Sequence, residues 1–408
     1  MWFYIKLAWR NIFRNKRRTI IAGIAIAIGM ASLILSDAFM IGMENNIVKS
    51  ATASFLGEAQ IHGEGFRETQ EVEKTIHKLD EVVRSLEEEE IVENFTLRTL
   101  SFGMITSPSD VGSVLLVGIA PETEKHLSQI DDAIKEGSYF AGDGVHEIII
   151  GSKLAETLDV SLGDRLVATV SQAESGDLSQ EMFRVSGIYH FNMKEMDSGM
   201  AFIRLEKAQQ MLGLGDNVHQ IAIKFKDRNY AVQENLPFWE KYSQNNNEAV
   251  SWTKLLPQLK AIFDMSGISL AVMCLILASV VVFGIINTLF MSLYERMFEF
   301  GVLRAVGTRT AGVRKLVIFE AGALGIVSII LGLILGFVIT WIFTKTGIDY
   351  RGIEFAGTTF KDLLYPEMRL LQFIVYPIGV FIFMLIVGLY PAFVAGRMSV
   401  ADALRKSL

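Results

Sequence analysis

Apolar residues gather in four blocks, near residues 20–42, 268–293, 317–344 and 370–396, and the long stretch between the first two reads as ordinary water-soluble protein. Ile20–Ser36 carries no charge, and the apolar pattern continues to Met43 with Asp37 near its far end. Ile268–Leu293, Ala321–Thr344 and Leu370–Gly396 carry none either. A helix rises about 1.5 Å per residue, so roughly 20 apolar residues cross about 30 Å of hydrocarbon. Each block meets that length and exceeds an ordinary core helix. The pattern predicts transmembrane helices over 20–43, 266–293, 316–344 and 370–396, with a separate domain over 44–265.

Within 44–265 the pattern turns mixed. Val72, Ile76, Leu79, Val83 and Leu86 fall at three- and four-residue spacing among charges, which predicts a helix over Glu71–Glu90. Short strand-like runs surround it: Glu58–His62, Thr96–Ile105, Ser113–Ile119, Glu147–Ile150, Arg165–Val170, Met182–Tyr189 and Gln220–Phe225. Strands interleaved with helices predict an α+β fold, with a smaller lobe inserted near 145–200. The polar segment Ser171–Gln180, holding Gly176, reads as a hairpin loop or mobile tip.

Basic residues give the layout a direction. Lys6, Arg10, Arg14, Lys16, Arg17 and Arg18 precede the first span without an acid among them. Arg296, Arg304, Arg309, Arg314 and Lys315 mark the 294–315 loop, and Arg397, Arg405 and Lys406 the C-terminal tail, 397–408. The 345–369 loop is balanced in charge. The positive-inside rule then places both termini and the 294–315 loop in the cytoplasm, with 44–265 and the short 345–369 loop outside. In segment 1–19, Phe3, Leu7 and Phe13 alternate with Lys6, Arg10 and Arg14; this predicts an amphipathic helix on the cytoplasmic face ahead of a retained span, not a cleaved signal.

Composition adds exclusions. The chain of 408 residues is 51% hydrophobic with net charge −7, and mean hydropathy is +0.36. One cysteine, Cys274, rules out an internal disulfide, so a domain of about 220 residues must hold together by its own core. No HExxH, GxSxG or CxxC pattern occurs, so catalytic residues and metal ligands are expected to be none. Nor does a GxxxxGK[ST] loop occur. Spans without central charges argue against a proton relay. Energy would have to come from a partner on the cytoplasmic side.

The 294–315 loop is suited to receiving one. Met297, Phe298, Phe300, Val302 and Leu303 are too apolar for a free loop, and the charges among them too frequent for a span. A short amphipathic helix ended by Gly307 fits both facts. It could dock in a groove of a soluble partner or rest on the lipid surface.

At this loop the sequence resembles a known family. Glu295-Arg296-x-x-Glu299-x-Gly301-x-Leu303-Arg304-Ala305-x-Gly307 is similar to the coupling region of the FtsX-like permeases, the membrane subunits of ABC transporters of the MacB and lipoprotein-release type. Leu7–Thr19, Ile149–Ala155 with Val160–Asp164, and Pro391–Arg405 resemble other parts of the same family in the same order. The resemblance implies a four-span α-helical membrane protein with a large MacB-like periplasmic α+β domain, closest in domain size to the lipoprotein-release permeases. It implies no cofactor in this chain, ATP and Mg being bound by separate ABC ATPase subunits that dock on Glu295, Arg296, Phe298, Glu299, Gly301, Leu303, Arg304 and Gly307. Further implied partners are a second permease subunit, identical or not, membrane lipids, a lipoprotein or other hydrophobic substrate, and a periplasmic carrier; nucleic acid is not among them. The implied place is the inner (cytoplasmic) membrane, and the implied work is to relay ATPase motion outward for lipoprotein release. Regulation of a cell-wall enzyme without transport, and peptide or drug efflux with a separate ATPase, are the alternatives. Phe39, Met40, Met43, Phe263 and Met265, near the outer ends of the first two spans, suit an adaptable acyl-binding surface or simple packing.

Overall fold

The structure is a computed structural model that describes residues 2–12, 14, 16–140, 144–173, 175–351, 354–355, 358–359 and 363–397. The tail beyond Arg397, with Met398–Arg405 of the family-like ending, lies outside these residues, as do Phe13 and parts of the 345–369 loop. The chain divides into a helical unit, residues 1–45, 263–349 and 363–408, and an α+β unit, residues 46–262 and 350–362.

Among the described residues four helices are long and apolar enough to cross a membrane. They are Lys16–Ala51 (span 1), Pro257–Glu295 (span 2), Thr310–Thr346 (span 3) and Gln372–Arg397 (span 4). Spans 1 and 2 are far longer than the predicted 20–43 and 266–293. At 36 and 39 residues each runs over 50 Å, at about 1.5 Å per residue. Apolarity marks only the part that lipid surrounds. Helical structure continues through Glu44–Ala51, where Ile47, Val48 and Ala51 are buried along one side.

Span 3 is the hub of the helical unit. Lipid tails are as apolar as leucine, so helices in a membrane associate through close contact at small residues. A Cβ on Gly332 would lie 3.0 Å from the Met30 Cβ and 3.1 Å from the Ala27 carbonyl oxygen. One on Gly336 would lie 3.0 Å from the Ile34 Cδ1 and 3.3 Å from the Ala31 Cα. Ala27 and Ala31 of span 1 thus seat against Gly332 and Gly336 of span 3. Ala321 of span 3 likewise meets Gly388 of span 4. Span 2 joins through one stripe at every fourth residue, Leu277, Val281, Ile285, Leu289 and Leu293. Its other faces, with Ile268, Val272, Ile276 and Phe283, are exposed in the single chain.

The α+β unit holds a ten-stranded sheet. Its strands are β1 (Ala59–Gly63), β2 (Val92–Thr106), β3 (Val111–Ile119), β4 (Ile134–Gly137), β5 (Glu147–Gly151), β6 (Arg165–Ser171), β7 (Leu178–Tyr189), β8 (Met200–Arg204), β9 (Gln220–Phe225) and β10 (Asn247–Ser251). The first half of β2 pairs with β9, which leads on to β1 and β10. Its second half pairs with β3 and β6. The ladder β2–β3–β8–β5–β7–β6 then returns to β2 and closes. Closure leaves no strand edge within this ring of six, and β4 and β10 remain the edges of the whole sheet. Residues 145–200 therefore do not form an inserted lobe of their own. Their strands complete a barrel whose other wall is β2 and β3, and one core joins Ile105, Val114 and Leu116 to Ile148, Leu166, Phe183 and Ile203.

Two other expectations change. The helix predicted over Glu71–Glu90 is confined to Leu79–Glu87. Residues before it are tied elsewhere: the Ile76 N–H donates to the Val218 carbonyl and the His77 N–H to Asn247 Oδ1, while Lys78 turns left-handed at φ 55°. Strands β4, β8 and β10 carry no period long enough to read from sequence. β8 is a strand because β3 and β5 flank it.

Candidate functional site

Helix Met297–Ala305 occupies the loop between spans 2 and 3. Its end follows from local chemistry. Gly307 adopts φ +104°, the Thr308 N–H donates to the Leu303 carbonyl and the Gly307 N–H to the Arg304 carbonyl. This is the Schellman pattern, which favours glycine because the left-handed region disfavours a Cβ.

The helix has a fixed side and an open side. Phe300 is buried in the core of the helical unit, and Gly301 is buried beside it. Arg296 stands at the N-terminal cap with its guanidinium 4.9 Å from the Phe300 ring centre. Its Nη1 donates to Glu320 Oε1 at 2.5 Å and its Nε to Glu299 Oε2 at 2.9 Å. Glu320 is a span 3 residue with a side chain only 6% exposed, and Asn11 Nδ2 donates to the same Oε1 at 2.5 Å. Glu299 Oε1 also accepts from Arg14 Nη1 at 2.7 Å. Burial pushes the Glu299 carboxyl up, but the guanidiniums of Arg14 and Arg296 outweigh it and hold the group below the usual carboxylate range. Phe298, Val302 and Val306, at four-residue spacing, are exposed, Val306 at 84%, and so is Leu303 one turn beyond Glu299.

The structure thus sorts the residues singled out in this loop. Phe298 and Leu303 present apolar surface. Arg296 and Gly301 are buried against the protein's own helices, and Glu299, its side chain 42% exposed, pairs with Arg14 and Arg296. Glu295 closes span 2 and Gly307 ends the loop helix. Sequence reading missed Asn11, Arg14 and Glu320 as members of this site. The uncharged run is read from Ala321, which leaves Glu320 inside the predicted span 316–344 without a role. The available signal was its position, a lone acid against the uncharged run from Ala321 beside a basic loop.

A cavity of about 260 Å³ adjoins the network, lined by polar groups of Asn11, Arg14, Thr288, Ser292, Glu295 and Glu320. A second, apolar cavity of about 260 Å³ lies between spans 1, 2 and 4, walled by Leu33, Leu277, Val281, Val380 and Phe383. Tyr376 at its rim hydrogen-bonds Asp37. None of Phe39, Met40, Met43, Phe263 and Met265 lines this cavity. Met265 is 65% exposed and the other four are partly buried on spans 1 and 2.

The model of the MacB-like periplasmic core domain matches residues 19–235, more than half of the chain, and that of the FtsX-like permease C-terminal region matches 271–400. The chain belongs to the FtsX-like, MacB-like family of ABC transporter permeases. This permease is similar to the lipoprotein-releasing system transmembrane protein LolE of Haemophilus influenzae, 21% identical over 415 residues and 98% of each chain. It is also similar to the corresponding LolC of Xylella fastidiosa strain 9a5c, 24% identical over 315 residues, 71% of this chain and 72% of that one. The crystal structure of the periplasmic region of MacB from Actinobacillus actinomycetemcomitans covers 50% of this permease and 94% of its own chain, at 14% identity and a TM-score of 0.34.

The α+β domain of this permease holds a fully buried ion pair. Arg98 and Glu124, both fully buried, meet at 2.9 and 2.5 Å, with the Arg98 guanidinium 3.9 Å from the Phe55 ring centre. Ser152, His190 and Asp197 also converge, but Ser152 Oγ at 2.8 Å and Asp197 Oδ2 at 3.2 Å both approach His190 Nδ1. A proton relay needs nucleophile and acid on opposite ring nitrogens, so this cluster is not a hydrolase triad.

Proposed function

We propose that this permease binds a separate ABC ATPase, which holds ATP and Mg, and relays its motion to the α+β domain to release or transfer lipid-anchored proteins from the inner membrane. The observation that carries the reading is the loop helix Met297–Ala305, anchored by Arg296, Glu299 and Phe300 and presenting Phe298, Val302, Leu303 and Val306. An anchored helix with an open apolar face fits a groove in a soluble partner. The substrate class rests on the lipoprotein-releasing relatives, one of them matched over 98% of both chains. In this reading both termini and this helix lie in the cytoplasm and the α+β domain outside, an orientation that the basic residues flanking the spans favour. A second permease subunit would cover the exposed faces of span 2, and a periplasmic carrier would receive the substrate.

Affinity capture of the full chain from its native membrane, with identification of what co-purifies, tests this. An ATPase and a lipid-anchored protein are expected. Phe298→Asp should remove the ATPase without reducing membrane insertion. An intact ATPase complex after Phe298→Asp overturns the docking surface. Capture of a wall hydrolase with no lipoprotein overturns the substrate class.

A further inference from the structure

Glu320 is a buried carboxylate at the head of the uncharged run Ala321–Thr344 of span 3, and such a group survives only when paired. Its pairing joins three pieces of chain at one oxygen. Arg296 Nη1 comes from the cap of the loop helix and Asn11 Nδ2 from the N-terminal helix Trp2–Ile12, each at 2.5 Å. The network continues outward with alternating sign. Glu320 holds Arg296, Arg296 holds Glu299, and Glu299 holds Arg14, two residues before span 1 begins. The inner link is buried, with side chains 8% and 6% exposed, whereas the outer link, Arg14 to Glu299, is 59% and 42% exposed. Solvent and salt screen the outer link and leave the inner one strong. Span 3 is also the helix that seats span 1 through Gly332 and Gly336 and span 4 through Ala321.

From this geometry we propose that Glu320 is a positioning residue of the coupling site. It locks the loop helix to span 3, so that a displacement of Met297–Ala305 moves spans 3 and 1 together. Span 2, continuous with the loop helix in sequence, meets the core along a single stripe. The proposal rests on the reading of the loop helix as the ATPase contact. It adds that force enters the bundle through a buried ion pair on span 3.

The test uses the full chain with its co-purifying ATPase in lipid nanodiscs and follows amide exchange with and without Mg-ATP. Glu320→Ala strands a buried Arg296. The double variant Arg296→Met with Glu320→Met removes both charges and keeps a packed contact, so folding survives. In both variants, exchange at residues 297–305 should rise about tenfold or more, because local opening becomes easier. The ATP-dependent change in residues 16–51 should be lost while the ATPase stays bound. A Met/Met variant that keeps the unsubstituted response in 16–51 overturns the proposal, since the pair would then be merely structural. An unsubstituted chain that retains no ATPase would instead refute the coupling reading on which the proposal stands.

Discussion

His62 makes the α+β domain acid-sensitive by a predictable amount. The ring is buried in β1 and stacks on Phe66 at 5.7 Å between centres. Both ring nitrogens face acceptors, Nε2 toward Gln60 Oε1 at 2.9 Å and Nδ1 toward the His219 carbonyl at 3.2 Å. Burial nevertheless dominates and pushes the ring down to about 3 from the ordinary 6.5, with Arg67 and Arg98 lowering it further against the pull of that carbonyl. The folded state therefore keeps a neutral ring where the unfolded chain takes up a proton. Stability is fully present above pH 6.5 and is lost progressively as pH falls toward 3. Each unit in that window costs about 1.4 kcal/mol, so going from 6.5 to 4.5 removes up to about 2.7 kcal/mol. For a domain of this size that is roughly 5–10 °C in melting temperature. Thermal unfolding of the full chain and of His62→Gln, followed from pH 7 to 4, isolates the effect. The variant begins lower by a constant amount but falls less steeply. His219, which burial also holds below its ordinary value, leaves a residual slope in it. Parallel curves for the two proteins over this window would refute the argument.

Other consequences follow from the same contacts. Arg98→Met should cost about 3–5 kcal/mol because Glu124 is left buried and charged, and adding Glu124→Leu should recover most of the loss in a melting experiment. Gly336→Leu should destabilise the helical unit by about 1–3 kcal/mol, since a Cβ there already lies 3.0 Å from Ile34 Cδ1. Gly379→Ala on span 4, where nothing lies within 4 Å of the added Cβ, should be neutral or slightly stabilising through helix propensity, as read by thermal aggregation in detergent. Glu299→Lys should loosen the N-terminal helix, seen as faster amide exchange at residues 2–12, because a third cation would then face Arg14 and Arg296 in place of the acid they share.

The apolar blocks determined the four spans by themselves, because crossing hydrocarbon requires length and apolarity and little else. The loop helix and its stop were legible for a similar reason: Gly307 supplies a backbone conformation that other residues avoid, and that property is local. Most strands showed in alternation, yet β4, β8 and β10 did not, since they become strands through neighbours far away in sequence. The closed ladder was likewise invisible, because β2 must meet β6 and β9 to create it, and no local pattern encodes that meeting. In the candidate site the sequence marked the motif but assigned Glu299 to the partner. Only the tertiary structure paired that half-exposed carboxylate with Arg14 and Arg296, and placed Glu320 against Arg296. A charge declares its own presence in sequence, whereas the opposite charge that balances it is chosen by packing between helices hundreds of residues apart.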